Sequence, residues 1–269
     1  MLRIKYLMES DDEIFRLELK TDSKNVAKQA LWAGLKPGMR VADIGCGAGK
    51  TTAILHRLIQ PCGSAVGIDG SKQRIKHAED QYGGTGIEFA CRDILQPLDD
   101  LAMFDFIWVR FFLEYYRTES FEIVKNITNI LKPGGILCLV DLDYNCLSHY
   151  GLSQRLENTL LSAMKVLQEK ANFDPYMGRK LYSFLYDLGY QEIKVDVGAH
   201  HLIYGELHDT DAFNWLKKVE VVSGKISYSF EEYAGGYHEF LDEFRKFFTD
   251  HRRFTYSPII SCRGSKPVA

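Results

Sequence analysis

The chain has 269 residues, 46% hydrophobic and 26% charged, with a formal net charge of -3. It can bury a full core as one large domain or a domain with insertions, and its charge balance, with no dense basic run before Arg252-Arg253, argues against nucleic acid as a partner. No apolar run reaches the ~18 residues of a membrane span, and the amino terminus is too charged for a signal peptide.

The six cysteines, at 46, 62, 91, 138, 146 and 262, show no paired spacing. That pattern points to reduced thiols and a cytoplasmic protein. Residues 1–37 read as an amino-terminal helical cover, in which Ile14, Phe15, Leu17 and Leu19 form an amphipathic stretch around Arg16. A strand over 40–45 (RVADIG) follows, then a helix whose apolar residues 54, 55, 58 and 59 recur at helical spacing until Pro61 and Gly63 close it. SAVGIDG (64–70) is the second strand, and Ser71 is placed to cap the helix KQRIKHAEDQY. Strands at 86–93 and 104–110 come next. A helix with Phe121, Val124, Ile127 and Leu131 on one face then leads through a Pro133-Gly134-Gly135 turn into a strand at 136–143. Apolar strands alternating with helices predict an α/β fold: a doubly wound, Rossmann-like sheet of about seven mostly parallel strands.

After Asp143 the rhythm changes. Helical insertions are expected at about 145–189 and 207–250, where Phe240, Phe244, Phe247 and Phe248 crowd together, with strands in QEIKVDVGAH and FTYSPIISCRG. The expected division is therefore the cover at 1–37 and a domain at 38–269 with added lid helices. His200 and His201, adjacent on a strand, should point to opposite faces and so not share a metal. His149 and His238 are possible bases in the lid, Tyr233 and Tyr237 possible walls of an apolar acceptor pocket, and Lys50 an exposed helix residue.

The stretch VADIGCGAGKTTAIL, 41–55, carries the chemistry. A phosphate loop of the form Gly-x-x-x-x-Gly-Lys-Thr would need a glycine where Ile44 stands, and the dinucleotide fingerprint Gly-x-Gly-x-x-Gly would need one where Lys50 stands. What remains is Asp-x-Gly-x-Gly-x-Gly, Asp43 to Gly49, leaving a strand and opening a helix. With Asp69 ending the second strand, CRDIL at 91–95, FDFIWVRFFLEYY at 104–116 and LKPGGILCLVD at 131–141, the chain resembles the class I S-adenosylmethionine-dependent methyltransferases, and among them the small-molecule enzymes of ubiquinone and menaquinone synthesis. The resemblance spans roughly Gly38 to Asp143 and fades in the lid.

The resemblance implies S-adenosyl-L-methionine as cofactor, S-adenosyl-L-homocysteine as product and a small-molecule acceptor. It implies a cofactor site made of Asp43, Gly45, Cys46, Gly47, Gly49, Asp69, Gly70, Asp93, Ile94, Arg110 and Phe111. Asp69 would accept from the ribose hydroxyls, Asp93 from the adenine amine while Ile94 packs on the ring, and Asp43 would orient the loop and meet the ammonium. Tyr6 and Arg16 would reach the carboxylate from the cover. For acid-base work the strand exits offer Glu114, Tyr115 and Tyr116 after the fourth strand and Asp141, Asp143 and Tyr144 after the fifth. Asp141, Asp143 and Asn145 make an unconvincing metal set, so no metal is expected. Other readings are a protein or nucleic-acid methyltransferase, which the absence of an Asn/Asp-Pro-Pro-Tyr/Phe motif at RFFLEYY weakens, and an S-adenosylmethionine-binding protein without turnover.

Overall fold

The computed structural model describes residues 7, 13–225 and 228–268. In chain order, α1 (Glu13–Lys20) and α2 (Ser23–Ala33) precede β1 (Arg40–Ile44), α3 (Lys50–Leu58), β2 (Ser64–Asp69), α4 (Lys72–Tyr82), β3 (Ile87–Cys91), β4 (Phe104–Arg110), α5 (Ser120–Asn129) and β5 (Leu131–Leu142). Then follow β6 (His149–Tyr150), α6 (Gln154–Lys170), α7 (Leu181–Asp187), β7 (Gln191–Tyr204), α8 (Asp209–Lys225), α9 (Gly236–Thr249) and β8 (Phe254–Ser265).

Helix boundaries follow the local chemistry. The Asp22 carboxylate accepts from the amides of Lys24 and Asn25 at the start of α2, and Gly34, at a φ of 100°, ends it in the left-handed region that glycine enters without strain. Ser71 caps α4 and Ser153 caps α6, each through its hydroxyl oxygen.

The sheet runs β3-β2-β1-β4-β5, all parallel, and β8 then lies antiparallel against β5. β7 forms the outer edge on β8, so the last strand of the chain is inserted between β5 and its predecessor. The two-residue β6 pairs with the start of β8. Each face of the sheet has its own core. Ile44, Ile68, Val109 and Leu139 pack with α5 and α7 on one side, while Val41, Phe106, Trp108 and Val140 pack with α2 and α3 on the other. The doubly wound expectation is met.

Away from the sheet, Leu156 of α6, Trp215 of α8 and Phe240, Phe244, Phe247 and Phe248 of α9 form a separate aromatic core. Burial of each such ring is worth about 2–3 kcal/mol, which holds the added helices together as a unit. Among the described residues no helix is long and apolar enough to cross a membrane.

Three local expectations change. Pro133-Gly134-Gly135 does not separate α5 from the strand: β5 already begins at Leu131, pairs there with Phe104, and absorbs the glycines as a register shift. Leu131 therefore leaves the helical face, which is made by Ile123, Val124 and Ile127, and Phe121 turns to meet the Phe184 ring edge-on. His200 and His201 do not alternate. His201 has a φ of 50° beside a register shift against β8, which brings the two rings to 3.8 Å.

Candidate active site

At the carboxyl ends of the parallel strands lies a cleft of about 1150 Å³, in the position where such sheets bind ligands. Its walls include Gly45, Cys46, Gly47, Asp69, Gly70, Asp93, Ile94, Arg110, Phe111 and Tyr115, which the sequence had singled out. The loop between β1 and α3 is folded by its glycines. Gly45 has a φ of 74°, and a Cβ there would stand 2.3 Å from Cδ2 of Phe112, so no larger residue fits without movement. The Gly45 and Cys46 amides both donate to Ile68 O, which pins the loop to β2. Burial pushes the Cys46 thiol up, leaving it a small apolar filler. Gly49 is the N-cap of α3 and provides no side-chain cap, so that helix presents uncapped first-turn amides near Lys50 and Thr51 on the cleft wall.

Asp69 is the most heavily bonded group in the cleft. Its Oδ2 accepts from Gly47 N at 3.0 Å, and its Oδ1 accepts from Ser71 N at 2.9 Å and from Nε and Nη2 of Arg74 at 3.2 and 3.0 Å. Arg74, in the first turn of α4, was not foreseen. Its signal was its place one turn beyond the acid and its Ser71 cap. Asp93 is exposed on the cleft rim, with Oδ1 accepting from Leu95 N at 3.1 Å, and Ile94 beside it is buried. Burial, with Asp69 and Asp93 nearby, pushes the Tyr116 hydroxyl up to about 12, so it stays a neutral hydrogen-bonding group.

Other expected residues stand elsewhere. Asp43 is 2% exposed and off the cleft wall, because its Oδ2 accepts from the Thr52 hydroxyl at 2.7 Å. It orients α3 rather than facing a ligand. Burial raises its carboxyl to about 7, opposed by the Thr52 hydrogen bond and by Arg110. Gly49 is also off the wall: its Cβ would meet Ala78 at 2.7 Å, so helix packing demands the glycine. Tyr6 lies outside the described residues. Arg16 is buried and forms a two-pronged pair with Glu13 at 2.7 Å, away from the cleft. Lys50 is not an exposed helix residue. It is half-buried, and its ammonium donates to the Glu18 carbonyl, tying α3 to α1.

Arg110 lies across the Phe111 ring, 3.9 Å from its centroid, and its Nε donates to Gln29 at 3.3 Å. Burial lowers its guanidinium to about 10, which leaves it charged at neutral pH. Phe111, at a φ of 53°, has the His200 ring 4.9 Å away. Phe111 and Tyr115 are walls of both the cleft and a second, much smaller chamber of about 20 Å³, bounded also by Arg16, Glu114, Asn145, His200, Asn214 and Lys218.

The acid-base candidates separate accordingly. Glu114 is buried in the small chamber and its Oε2 accepts from Asn145 Nδ2 at 2.7 Å. Asp141 lies behind it and accepts from the Glu114 and Leu142 amides, and burial with Glu114 nearby raises its carboxyl well above the usual range. Asp143 is taken by Arg179, with Nε at 2.9 Å, and the Tyr144 ring lies half-exposed under that guanidinium. Neither lines the cleft or the chamber. Asp141, Asp143 and Asn145 thus have different partners, and no group of three or more His, Cys, Asp or Glu that could hold a metal occurs among the described residues. His149 is structural: its ring nitrogens meet the Thr255 hydroxyl and Cys146 O, and burial lowers it to about 4. His238 is exposed, and Tyr233 and Tyr237 belong to the aromatic core rather than to either cavity.

Residues 42–139 match a family model described as a methyltransferase domain. Over 109 residues the chain is 27% identical to demethylmenaquinone methyltransferases from strains of Staphylococcus aureus, a stretch that is 39% of this chain and 44% of theirs. The chain thus matches under half the length of these curated relatives. Among solved structures, a putative methyltransferase from Bacillus halodurans superimposes with a TM-score of 0.57 at 17% identity, covering 91% of this chain and 99% of that one. Phosphoethanolamine N-methyltransferase 2 of Haemonchus contortus, solved with S-adenosyl-L-methionine, gives 0.58 at 16%, covering 96% and 57%. The [4+2]-cyclase SpnF gives 0.56 at 18%, covering 92% and 82%. Identities this low establish a shared fold. The resemblance seen in the glycine loop and strand exits is thus matched by the family model over residues 42–139 and by the fold of these structures.

Proposed function

We propose that this chain is a cytoplasmic S-adenosyl-L-methionine-dependent methyltransferase that modifies an oxygen, nitrogen or carbon of a small molecule and releases S-adenosyl-L-homocysteine. One observation carries the reading: a single cleft gathers the Gly45–Gly47 loop, the uncapped start of α3, the strand-end acid Asp69, the Asp93-Ile94 pair and Arg110-Phe111.

The cleft suits that cofactor's chemistry. The uncapped amides of α3 are donors for a carboxylate, and Asp69 and Asp93 are acceptors for hydroxyl and amine protons, whereas a phosphate near Asp69 would be repelled. Ile94 offers an apolar surface for a base, and Gly70, whose Cβ would meet only Arg92 O at 3.7 Å, leaves room for a ribose to approach. Arg74 shares the Asp69 carboxylate, so a ribose hydroxyl must engage Oδ2 or displace one Arg74 nitrogen. Six free cysteines without a disulfide are consistent with the cytoplasmic setting.

When bound, S-adenosyl-L-methionine supplies a methyl group already activated by its sulfonium. The chain's own task is then mainly alignment, with proton removal as an addition. Arg110 and Phe111 bound the methionine end, Tyr115 faces the cleft, and Glu114 waits in the chamber behind it. Of the acid-base candidates, Tyr115 and Glu114 are placed to orient or deprotonate an acceptor, while Asp141 fixes the Glu114 backbone. α1 and the turn after it serve as a cover: Leu17 and Thr21 line the cleft, and the Leu17 side chain comes within 3.0 Å of the Cβ position of Gly47.

The fold also occurs in a cyclase, so transfer has to be tested apart from binding. Incubation with methyl-labelled S-adenosylmethionine and a whole-cell extract should move label into the low-mass fraction. Cofactor binding with no labelled product would leave a binding protein. Label in protein or RNA alone would assign the acceptor to that class.

A further inference from the structure

β7 is an open edge of the sheet. It pairs with β8 on one side, and no described strand pairs with it on the other. Every residue from Lys194 to Ala199 is exposed, Val195 at 47% and Val197 at 66% among them, so both faces of this stretch and its outer row of backbone groups stand uncovered among the described residues. The stretch is regular. Lys194 to His200 pair one by one with Arg263 to Ser257, between two register shifts where Glu192 and His201 take φ values of 49° and 50°.

The charges on this edge suit one kind of neighbour. Lys194 and Asp196 are two residues apart and so share a face of the strand, and neither takes part in an ion pair among the described residues. Lys194 also lies directly opposite Arg263 of β8, a like charge that an acid on its outer side would offset. A lone lysine guards an edge by repelling its like, but a lysine two residues from an aspartate makes the edge self-complementary. When two copies of β7 run antiparallel about a two-fold axis normal to the sheet, opposed residues share a face, so the axis passes between two copies of one residue. With the axis at Val195, Lys194 of each copy lies opposite Asp196 of the other, and the two valines meet. An axis at Asp196 would set the two carboxylates against each other. An axis at Val197 would put Asp196 opposite Gly198 and Lys194 opposite His200, which forms no ion pair.

We infer that β7 is a homodimer interface, on which a second copy of this chain adds its own β7 antiparallel about Val195, held by two reciprocal Lys194–Asp196 pairs. The inference stands apart from the cofactor reading. A ladder of this length makes a small interface, at the low end of the sizes that hold specific pairs, so the dimer forms in a concentration-dependent way.

The test is sedimentation equilibrium of the full chain, which should show a reversible monomer–dimer equilibrium at concentrations up to about 1 mM. Lys194→Asp and Asp196→Lys each set like charges opposite one another, and each alone should raise the dimer dissociation constant at least about tenfold. An equimolar mixture of the two variants should regain the dimer, because each then meets its opposite charge in the other, and that recovery also shows that both are folded. A chain that stays monomeric throughout overturns the inference and leaves the edge to a strand of another protein. A dimer that neither variant weakens, or a loss that the mixture does not repair, overturns it as well.

Discussion

Asp43→Asn isolates one buried carboxylate at the root of the glycine loop. Asp43 is 2% exposed, and burial raises its carboxyl from 3.8 to about 7. The folded chain therefore holds this proton more tightly than the unfolded chain. The associated stability is fully present below pH 3.8, falls as pH rises toward about 7, and is flat above that. A displacement of about three pH units corresponds to about 4 kcal/mol in total, of which about 2.5 kcal/mol is lost between about pH 5 and about pH 8. Asparagine keeps the shape and an oxygen that accepts from the Thr52 hydroxyl, but it does not ionise. Urea unfolding of both proteins at those two pH values should show the stability difference moving by about 2.5 kcal/mol in favour of the variant as pH rises. Parallel profiles would refute the claim that burial dominates this carboxyl, and with it the view of Asp43 as a brace rather than a solvent-facing ligand group.

Gly45→Ala places a Cβ 2.3 Å from Phe112 at a φ of 74°, and overpacking with left-handed strain should lower the melting temperature by about 5–10 °C. An unchanged melting curve would mean that the loop has room the geometry denies. Asp69→Ala should weaken S-adenosylmethionine binding by at least about tenfold, or about 1.4 kcal/mol. Arg74→Ala, which removes the guanidinium donors from Oδ1 and leaves it only the Ser71 amide, should leave binding equal or tighter, and a loss matching that of Asp69→Ala would make the ion pair itself part of the site. Asp143→Asn and Tyr144→Phe should leave labelled methyl transfer within about twofold, since both side chains are engaged with Arg179 away from the cleft. Loss of transfer in either would move the chemistry out of the cleft.

The parts of this molecule readable from its sequence are those set by local rules. β1, β2 and β4 are short, mostly apolar runs buried on both faces, so they stood out as hydrophobic segments, and Ser71 announced α4 through its hydroxyl. Spacing within the glycine loop was enough to reject two nucleotide motifs, and the strand-end residues Asp69 and Asp93 do meet on one cleft. What escaped depends on long-range packing or on breaks in periodicity. Insertion of β8 between β5 and β7 is a matter of strand order, which hydrophobic pattern does not encode. The two histidines were misplaced because period-two alternation assumes extended φ values, which His201 abandons at 50°. Glu114, Asn145, Asn214 and Lys218 become neighbours only when the turn after β4 and the segment after β5 meet α8, and no spacing along the chain joins them. Asp43 looked like a ligand residue because its motif faces the loop, yet Thr52 draws its side chain inward.

The central claim is the identity of the cofactor, and parallel calorimetric titration with S-adenosylmethionine, S-adenosylhomocysteine, NAD and ATP tests it most directly. The account predicts saturable binding of the first two and no heat from the others, because the loop lacks both the phosphate-wrapping spacing and the dinucleotide glycine spacing. Binding of NAD or ATP with neither sulfur compound bound would contradict it and require every role in the cleft to be reassigned.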